Sequence, residues 1–448
     1  MKPNHKPAIR PVLTTGPPRR IASPLAGSQS ALPTTLRSSH PRFFRKLQNP
    51  TYRSLIPTLR SCLQNKYICD MILPAQLMAR LEARRQSNAL RELPRPKGLI
   101  DFASNDYIGF AGSAAIFNAS HQLLVDSGIL RNGATGSRLL SGNSPLYEQT
   151  EALIAAFHES DSALLFNSGY DANLGFFSAV PQKGNLILFD ELCHASIRDG
   201  IRLSNARAYK FTHNDTEAVE RLLIQHPDSV VYIVTESVFS MDGDTPPLEE
   251  LLRLCGQYGC YLVIDEAHAL GVFGEQGQGL VQSLGLQHKV FARIMTFGKG
   301  LGCHGAAVLG SEQLRQYLLN FARSFIYTTA LAPHAVATIQ TAYNALSHDK
   351  NAIRELRHNI NYFNQQKQMR GLRPLFVRSG SAIQSAIFPG NDTVRTIAAL
   401  MQQSGFDVKA ILAPTVPEGQ ERLRICLHSY NSEREIDEVL EMLGKFVN

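Results

Sequence analysis

Six short runs of apolar residues dominate the middle of this 448-residue chain. Longer stretches with helical spacing separate most of them, which is typical of a mostly parallel sheet wrapped by helices. The sequence therefore predicts an α/β fold with helices on both faces of the sheet. The runs lie at residues 163–166, 186–189, 230–234, 262–264, 294–296 and 306–309.

A polar segment follows each of the first five runs. These segments read NSGYDAN, DELCHAS, TESVFSMDGD, DEAHALG and FGKG. In open α/β sheets ligands bind at the carboxyl ends of the strands. We therefore expect the five segments to converge on one crevice.

The alternation of apolar runs and helical stretches is confined to the middle of the chain. The sequence therefore predicts four segments. Residues 1–70 form a basic extension that is predicted not to fold alone, and residues 71–115 form an arm that begins with an amphipathic helix. A large sheet domain is predicted over residues 116–345. Residues 346–448 are predicted to form a smaller α+β domain, from the helical pattern NAIRELRHNINYFNQQKQM and the strand-like SAIQSAIFPG and RLRICLHSY.

The net charge of +7 is unevenly distributed. Residues 1–69 contain 12 Lys and Arg and no Asp or Glu, whereas the remainder holds 33 basic and 38 acidic residues. A mildly acidic body does not favour a nucleic-acid partner. The Arg- and Ser-rich leader resembles an organelle transit peptide, and the alternative is that Met71 is the working start.

Cysteine usage and hydropathy indicate the compartment. The seven cysteines form no CxxC pair, which favours free thiols in a reducing compartment and no zinc site. No apolar run reaches 18 residues, so no membrane span is predicted. We expect a cytoplasmic protein, with organelle import as the alternative.

The letters DEAH at residues 265–268 also occur in nucleic-acid helicases. A helicase requires a G-x-x-x-x-G-K-[ST] loop upstream of this acidic strand to hold the phosphates of ATP. The chain has no such loop, and its Gly298-Lys299 pair lies downstream and precedes Gly300. A helicase is therefore a poor interpretation.

One cofactor needs the residues found at these strand ends. Pyridoxal phosphate requires a lysine amine for a Schiff base and a carboxylate that keeps its ring nitrogen protonated, roles that suit Lys299 and Asp265. Its phosphate favours the N-terminus of a helix, which Ser168, Gly169 and Tyr170 would supply. His194 could stack on the ring.

The same segments resemble the α-oxoamine synthases, fold-type I pyridoxal phosphate enzymes that condense an amino acid with an acyl thioester and lose CO2. The resemblance extends from about residue 80 to 440 and implies a large sheet domain, a smaller C-terminal domain and a homodimer with shared active sites. It rests on DFASNDYIGF, GATGSRLLSGNSPLYEQTE, FNSGYDAN, DELCHAS, TESVFSMDGD, VIDEAHALGVFGEQGQG, TFGKGLGCHGAAVLGS and APTVPEGQERLRICL.

The resemblance implies four catalytic residues. Lys299 would form the Schiff base and abstract the Cα proton, and Asp265 would pair with the pyridine nitrogen. His268 would bond to the phenolic oxygen of the ring, with a core histidine as the alternative. His194 would stack on the ring, with a helix-capping histidine as the alternative.

It also implies binding residues. The backbones of Gly169 and Tyr170 would hold the phosphate, and Ser240 and Thr296 would bond to cofactor oxygens. Further predicted contacts are Asn105, Arg91 and Thr415 with substrate and Thr328 and Thr329 with the phosphate of the other subunit. For Arg91 a solvated helix-face charge is the alternative.

One position departs from the family pattern and concerns the substrate. Many relatives have arginine where this chain has Leu412, and that arginine is thought to bind the amino acid carboxylate. Lys409, Arg424 or His194 could replace it. The motifs imply L-alanine and a pimeloyl thioester carried by CoA or an acyl-carrier protein. Glycine or serine with another thioester, or a non-catalytic protein on this scaffold, are alternatives.

Overall fold

The largest element of the computed structural model, which describes residues 73–91, 93 and 98–447, is a seven-stranded sheet. Its strand order is β2-β8-β7-β6-β5-β3-β4. The strands of the described chain are β1 Ile100–Asp101, β2 Ser162–Phe166, β3 Leu186–Asp190, β4 Arg207–Phe211, β5 Val231–Glu236, β6 Tyr261–Asp265, β7 Ala292–Thr296, β8 Ala306–Gly310, β9 Ile383–Ile387, β10 Phe406–Asp407, β11 Lys409–Ile411 and β12 Arg422–Cys426. Each predicted apolar run falls on one strand of the large sheet.

Neighbouring strands from β7 across to β4 are parallel, and β8 is antiparallel to both β7 and β2. The chain between β7 and β8, residues 297–305, is shorter than a parallel crossover requires, so β8 must return in the opposite direction. Lys299 lies in this short connection. The predicted mostly parallel sheet is confirmed.

Both faces of the sheet are buried. Leu164 and Ile187 belong to one hydrophobic core, whereas their neighbours Leu165 and Leu188 belong to another. Because successive residues of a strand point to opposite faces, the two cores lie on opposite sides of the sheet. This double burial explains why the strands read as continuous apolar runs.

The helices occupy most of the remaining described chain. None of them is both long and apolar enough to cross a membrane. They are α1 Ala75–Gln86, α2 Ala114–Asp126, α3 Pro145–Phe157, α4 Gly169–Ala179, α5 Ala195–Leu203, α6 Thr216–Gln225, α7 Leu248–Tyr258, α8 Leu280–Ser283, α9 Glu312–Phe321, α10 Arg323–Ile326, α11 Pro333–His348, α12 Asn351–Met369, α13 Asn391–Gln403 and α14 Glu433–Gly444, with a π-helical turn at Arg138–Gly142 and 3-10 turns at Phe110–Gly112 and Arg373–Leu375.

Two smaller sheets lie outside the large one. Strands β9, β12 and β11 form an antiparallel sheet with β12 in the centre, and β1 pairs in parallel with β10. The predicted arm, residues 71–115, thus contributes β1 to a sheet with the C-terminal part of the chain. The predicted extension at residues 1–70 lies outside the described residues.

Strand β4 was not predicted. It occupies one edge of the large sheet, and four of its five residues are exposed. An edge strand that packs little apolar surface needs no run of hydrophobic residues. Its sequence, RAYKF, therefore lacks the pattern that reveals the central strands.

Candidate active site

The carboxyl ends of β6 and β7 bring the central predicted residues together. β6 ends at Asp265, β7 ends at Thr296, and Lys299 follows three residues later. The Nζ atom of Lys299 lies 2.7 Å from Nε2 of His268. Burial lowers the pKa of Lys299 to about 8, against the opposing effect of the Asp265 and Glu236 carboxyl groups. The amine is therefore uncharged far more often than an exposed lysine, as a nucleophile or base requires.

His268 is a buried side chain with a partner on each ring nitrogen. Its Nδ1 lies 2.7 Å from the hydroxyl of Tyr107, and its Nε2 faces Lys299. Burial and the positive charge of Lys299 hold the pKa of His268 well below its ordinary value. His268 is thus both a satisfied buried histidine and a neighbour of the predicted Schiff-base lysine.

Asp265 is held by two donors. Its Oδ1 accepts the backbone N–H of Ala267 at 2.9 Å, and its Oδ2 accepts the side-chain amide of Asn173 at 2.7 Å. The sequence reading missed Asn173. The available signal was helical spacing, because Asn173 follows Gly169 by four residues on α4 and therefore lies on the same helix face.

Glu236 is a second carboxyl group that the sequence reading missed. It ends β5 directly opposite Asp265 in the register with β6, and its side chain accepts the backbone N–H of His194 at 2.5 Å. Burial, together with the charge of Asp265, raises the pKa of Glu236 to about 8. At neutral pH Glu236 is therefore mostly uncharged. Its place at a strand end, in the segment TES, was the available signal.

His194 caps helix α5. Its Nδ1 accepts the backbone N–H of Ser196 at 3.2 Å and lies 2.8 Å from the Ser196 hydroxyl. The helix-capping alternative is therefore present in the structure. Capping uses one edge of an exposed ring and leaves its face free, so stacking on a cofactor ring stays a prediction.

The start of α4 fits a phosphate group. A Cβ atom at Gly169 would lie 2.2 Å from Oγ1 of Thr296, so only glycine allows the helix start to approach the end of β7 so closely. Ser168 caps the helix, since its side chain accepts the backbone N–H of Asp171. No described residue accepts a hydrogen bond from the backbone N–H of Gly169 or Tyr170. These two free donors at a helix N-terminus suit an anion.

Arg424 brings two further predicted residues together. Its Nε donates to the carbonyl oxygen of Ser240 at 2.7 Å, and its Nη2 donates to Oδ1 of Asn105 at 2.9 Å. Arg424 is buried, and its charge also acts on Lys299 and His268. Ser240 and Asn105 therefore belong to the same cluster as Lys299.

The remaining predicted residues lie apart from this hydrogen-bonded cluster. Arg91 and Thr415 are exposed, and within the described chain neither side chain has a hydrogen bond or ion pair. Thr328 accepts a hydrogen bond from Asn167 at 3.0 Å, as does the Thr329 carbonyl at 2.7 Å. Asn167 precedes Gly169 by two residues, so both threonines lie near the predicted phosphate site of their own chain. Their contact with another subunit stays a prediction.

Comparison with known proteins agrees with this geometry. The family described as aminotransferase class I and II matches residues 97–443. The 8-amino-7-oxononanoate synthase of Emericella nidulans is 42% identical over 79% of this chain and 90% of its own length. That of Mycolicibacterium smegmatis is 37% identical over 81% of this chain and 94% of its own length.

Solved structures show the same fold. The serine palmitoyltransferase of Sphingomonas wittichii superposes with a TM-score of 0.76 at 27% identity, over 84% of this chain and 98% of its own. The 8-amino-7-oxononanoate synthase of Francisella tularensis superposes with a TM-score of 0.66 at 29% identity, over 78% of this chain and 98% of its own.

The chain therefore belongs to the aminotransferase class I and II family, as one of its α-oxoamine synthases. The fold-type I architecture and the pyridoxal phosphate cofactor that the sequence motifs implied are confirmed. The residues present fit this cofactor, since the structure combines a lysine amine of lowered pKa, an anchored carboxylate and a helix start with two free N–H groups.

Proposed function

We propose that this protein condenses L-alanine with a pimeloyl thioester and releases 8-amino-7-oxononanoate, CO2 and the free thiol, a step of biotin biosynthesis. The main support for this chemistry is the state of Lys299. Burial lowers the pKa of its amine to about 8, and its Nζ lies 2.7 Å from Nε2 of His268. The choice of substrates is supported by relatives called 8-amino-7-oxononanoate synthase at 35–42% identity.

Several residues would hold the cofactor. The N–H groups of Gly169 and Tyr170 would bind its phosphate, and Asp265 would keep its ring nitrogen protonated. Asn173 supports this role because its hydrogen bond fixes the orientation of the Asp265 carboxylate. When bound, pyridoxal phosphate supplies an electron sink for the electron pair left on Cα.

Lys299 would move the proton in this reaction. Its Nζ removes the Cα proton of alanine, and Cα then forms a bond to the thioester carbonyl carbon while the thiol leaves. Loss of CO2 follows, and a proton returned to Cα completes the product. Loss of CO2 as a gas makes the condensation effectively irreversible.

Arg424 is the proposed anchor for the carboxylate of the amino acid. Lys409 already pairs with Asp407 at 2.8 Å and is 43% exposed, whereas Arg424 is buried beside Asn105 and Ser240. A guanidinium in a water-poor site binds a carboxylate strongly and in a fixed orientation. Arg424 could therefore perform the role that Leu412 cannot.

The acyl chain and its carrier are proposed to enter from the exposed side of the site. Arg91 and Thr415 are exposed, as contacts with an incoming thioester require, and Arg91 could meet the far carboxyl end of the pimeloyl chain or the acidic surface of a carrier. CoA and an acyl-carrier protein both remain candidate carriers. Cytoplasmic localisation, with organelle import as the alternative, likewise stays a prediction.

A homodimer with shared active sites is also proposed. Leu140 is 86% exposed in the π-helical turn Arg138–Gly142, and the preceding Gly136 accepts the backbone N–H of Ala330, directly after Thr328 and Thr329. The resemblance implies an active site shared between subunits, and an exposed leucine beside the predicted phosphate site is compatible with an intersubunit face there. Light scattering coupled to size-exclusion chromatography would give the mass in solution.

A substrate panel tests the proposed function. Purified protein with pyridoxal phosphate is given alanine, glycine or serine with pimeloyl, acetyl or palmitoyl thioesters of CoA and of acyl-carrier protein, and free thiol is measured. We expect thiol release with alanine plus a pimeloyl thioester. A different preferred pair would overturn the substrate assignment, and no release with any pair would overturn the activity.

The lysine has a matched control. Lys299→Ala is expected to abolish both the visible absorbance of bound cofactor and thiol release. Lys289→Ala, at an exposed lysine of the same region, is expected to leave both unchanged. Equal activity in Lys299→Ala and the native protein would contradict the proposed role of Lys299.

A further inference from the structure

We infer that the hydroxyl of Tyr107 is a positioning group that decides which ring nitrogen of His268 carries the proton, and thereby stabilises the charged form of Lys299. Tyr107 is fully buried, and its hydroxyl lies 2.7 Å from His268 Nδ1 and 3.1 Å from Asn105 Oδ1. The inference rests on the proposed function, in which Lys299 is the base.

Hydrogen bonds link Arg424, Asn105, Tyr107, His268 and Lys299 in that order, and the donor at the Arg424 end determines where the protons lie. A guanidinium can only donate, so the Asn105 atom that Arg424 contacts at 2.9 Å must be the amide oxygen. The Tyr107 hydroxyl faces the same oxygen and must therefore donate its single proton to it. The phenolic oxygen of Tyr107 is then left as an acceptor toward His268.

This assignment determines the state of the imidazole. Because the Tyr107 oxygen accepts, Nδ1 of the neutral His268 ring carries the hydrogen, and Nε2 presents its lone pair. Lys299 Nζ lies 2.7 Å from Nε2 and donates to that lone pair. Donation is easiest for the ammonium form, so this tautomer of His268 favours a charged Lys299.

Other charged groups also face Lys299 but cannot replace this effect. Asp265 at the end of β6 favours the ammonium form, as does Glu236 at the end of β5 once it is ionised, whereas Arg424 on β12 disfavours it. Their influence is electrostatic and does not depend on where the His268 proton lies. The hydrogen bond from Lys299 to Nε2 depends on it directly.

Removing the hydroxyl tests this relation with little change in volume. In Tyr107→Phe the Nδ1–H of His268 loses its acceptor, which removes the preference for this tautomer. The alternative tautomer directs an N–H toward Lys299 and disfavours its ammonium form. We therefore expect the pKa of Lys299 to fall by about one pH unit, since a hydrogen bond to a charged group and a one-unit shift have comparable free energies.

A second variant changes the other hydrogen-bond partner of the Tyr107 hydroxyl. Asn105→Ala removes the acceptor of the Tyr107 proton, so the hydroxyl turns to donate to His268 Nδ1 and forces the hydrogen onto Nε2. The expected shift has the same direction. Tyr343→Phe is the matched control, because Tyr343 is also fully buried and its hydroxyl bonds to another buried histidine, His158, at 2.9 Å.

The measurement is the pH dependence of amine labelling on the full-length chain freed of cofactor. An anhydride reagent is applied across the pH range, and the Lys299 peptide is quantified by mass spectrometry. The midpoint is expected to fall in Tyr107→Phe and Asn105→Ala and to stay unchanged in Tyr343→Phe. An unchanged midpoint in Tyr107→Phe, with a native circular dichroism spectrum, would overturn the inference. Failure of the proposed function would appear separately, as absent thiol release by the native holoenzyme.

Discussion

The side-chain amide of Asn173 donates a 2.7 Å hydrogen bond to Oδ2 of Asp265 and a second hydrogen bond, of 3.0 Å, to the hydroxyl of Ser196. Asn173 lies on α4, and Asp265 ends β6. One amide therefore fixes the rotamer of the carboxylate proposed to hold the cofactor ring. This contact joins the end of β6 to the helix that would bind phosphate.

Replacing Asn173 by alanine is expected to weaken cofactor binding and slow turnover. A hydrogen bond to a charged group contributes about 1.5–3 kcal/mol, which corresponds to a loss of roughly 10- to 100-fold. Cofactor titration followed by absorbance and thiol-release kinetics would measure both effects. Asn344→Ala, at an exposed helix position, is the control. Native cofactor affinity in Asn173→Ala would show that Asp265 needs no support from α4.

Asp265→Asn is expected to separate cofactor binding from catalysis. Asparagine retains the shape of the side chain but not the charge that keeps the ring nitrogen protonated. We expect the variant to bind cofactor and to lose about 100-fold or more in turnover, as removal of an electrostatic contribution does. Absorbance would follow the cofactor and thiol release the rate. Turnover close to that of the native protein would contradict the assigned role.

Glu236 makes the stability of the cofactor-free protein depend on pH. Its pKa is raised from 4.5 to about 8 in the folded chain, chiefly by burial. The folded state therefore binds more protons than the unfolded state between these values, and the contribution to stability is present below pH 4.5 and lost as the pH rises through about 8. Glu236→Gln is expected to show a smaller fall in the free energy of unfolding between pH 5 and pH 8.

Urea denaturation at one-unit pH intervals would measure this difference. Glu355→Gln is the control, because Glu355 is exposed. The control should follow the native protein at every pH. If Glu236→Gln also runs parallel to the native curve, Glu236 titrates normally and the burial argument is wrong.

His213 connects two acidic residues near the loop that carries Ser240. Its Nδ1 lies 3.0 Å from Asp190 and its Nε2 lies 2.7 Å from Asp244. Burial opposes the charge of His213, but hydrogen bonds to both carboxylates outweigh it and raise the pKa of His213 to about 10. The imidazolium is therefore retained at neutral pH, and its contribution to stability is lost as the pH rises through about 10.

His213→Ala is expected to lower the free energy of unfolding by about 3 kcal/mol at pH 7, because the fully buried Asp190 loses its cationic partner. The difference from the native protein should shrink as the pH approaches 10. Urea denaturation at pH 7 and pH 10 would measure it, with the exposed His348→Ala as control. A constant difference at both values would show that the contact is not ionic.

The sequence by itself determined the α/β class and the principal chemical residues. It also located the polar segments that follow five of the six central strands. Apolar runs reveal strands buried on both faces, and the polar residues that follow the first five runs lie at the sheet edge where ligands bind. Lys299, Asp265, His268 and Gly169 could be found in this way because their positions along the chain already specify where they lie in the fold.

Only the tertiary structure decided which other side chains meet them. Asn173, Glu236, Tyr107 and Arg424 come from a helix, a neighbouring strand, an N-terminal loop and the C-terminal sheet, and they reach the site through strand register and side-chain direction. Hydrogen bonds between residues more than 40 positions apart leave no periodic signal in the sequence. Burial, which moves the pKa values of Lys299 and Glu236 toward 8, likewise arises only when distant segments pack together and exclude water.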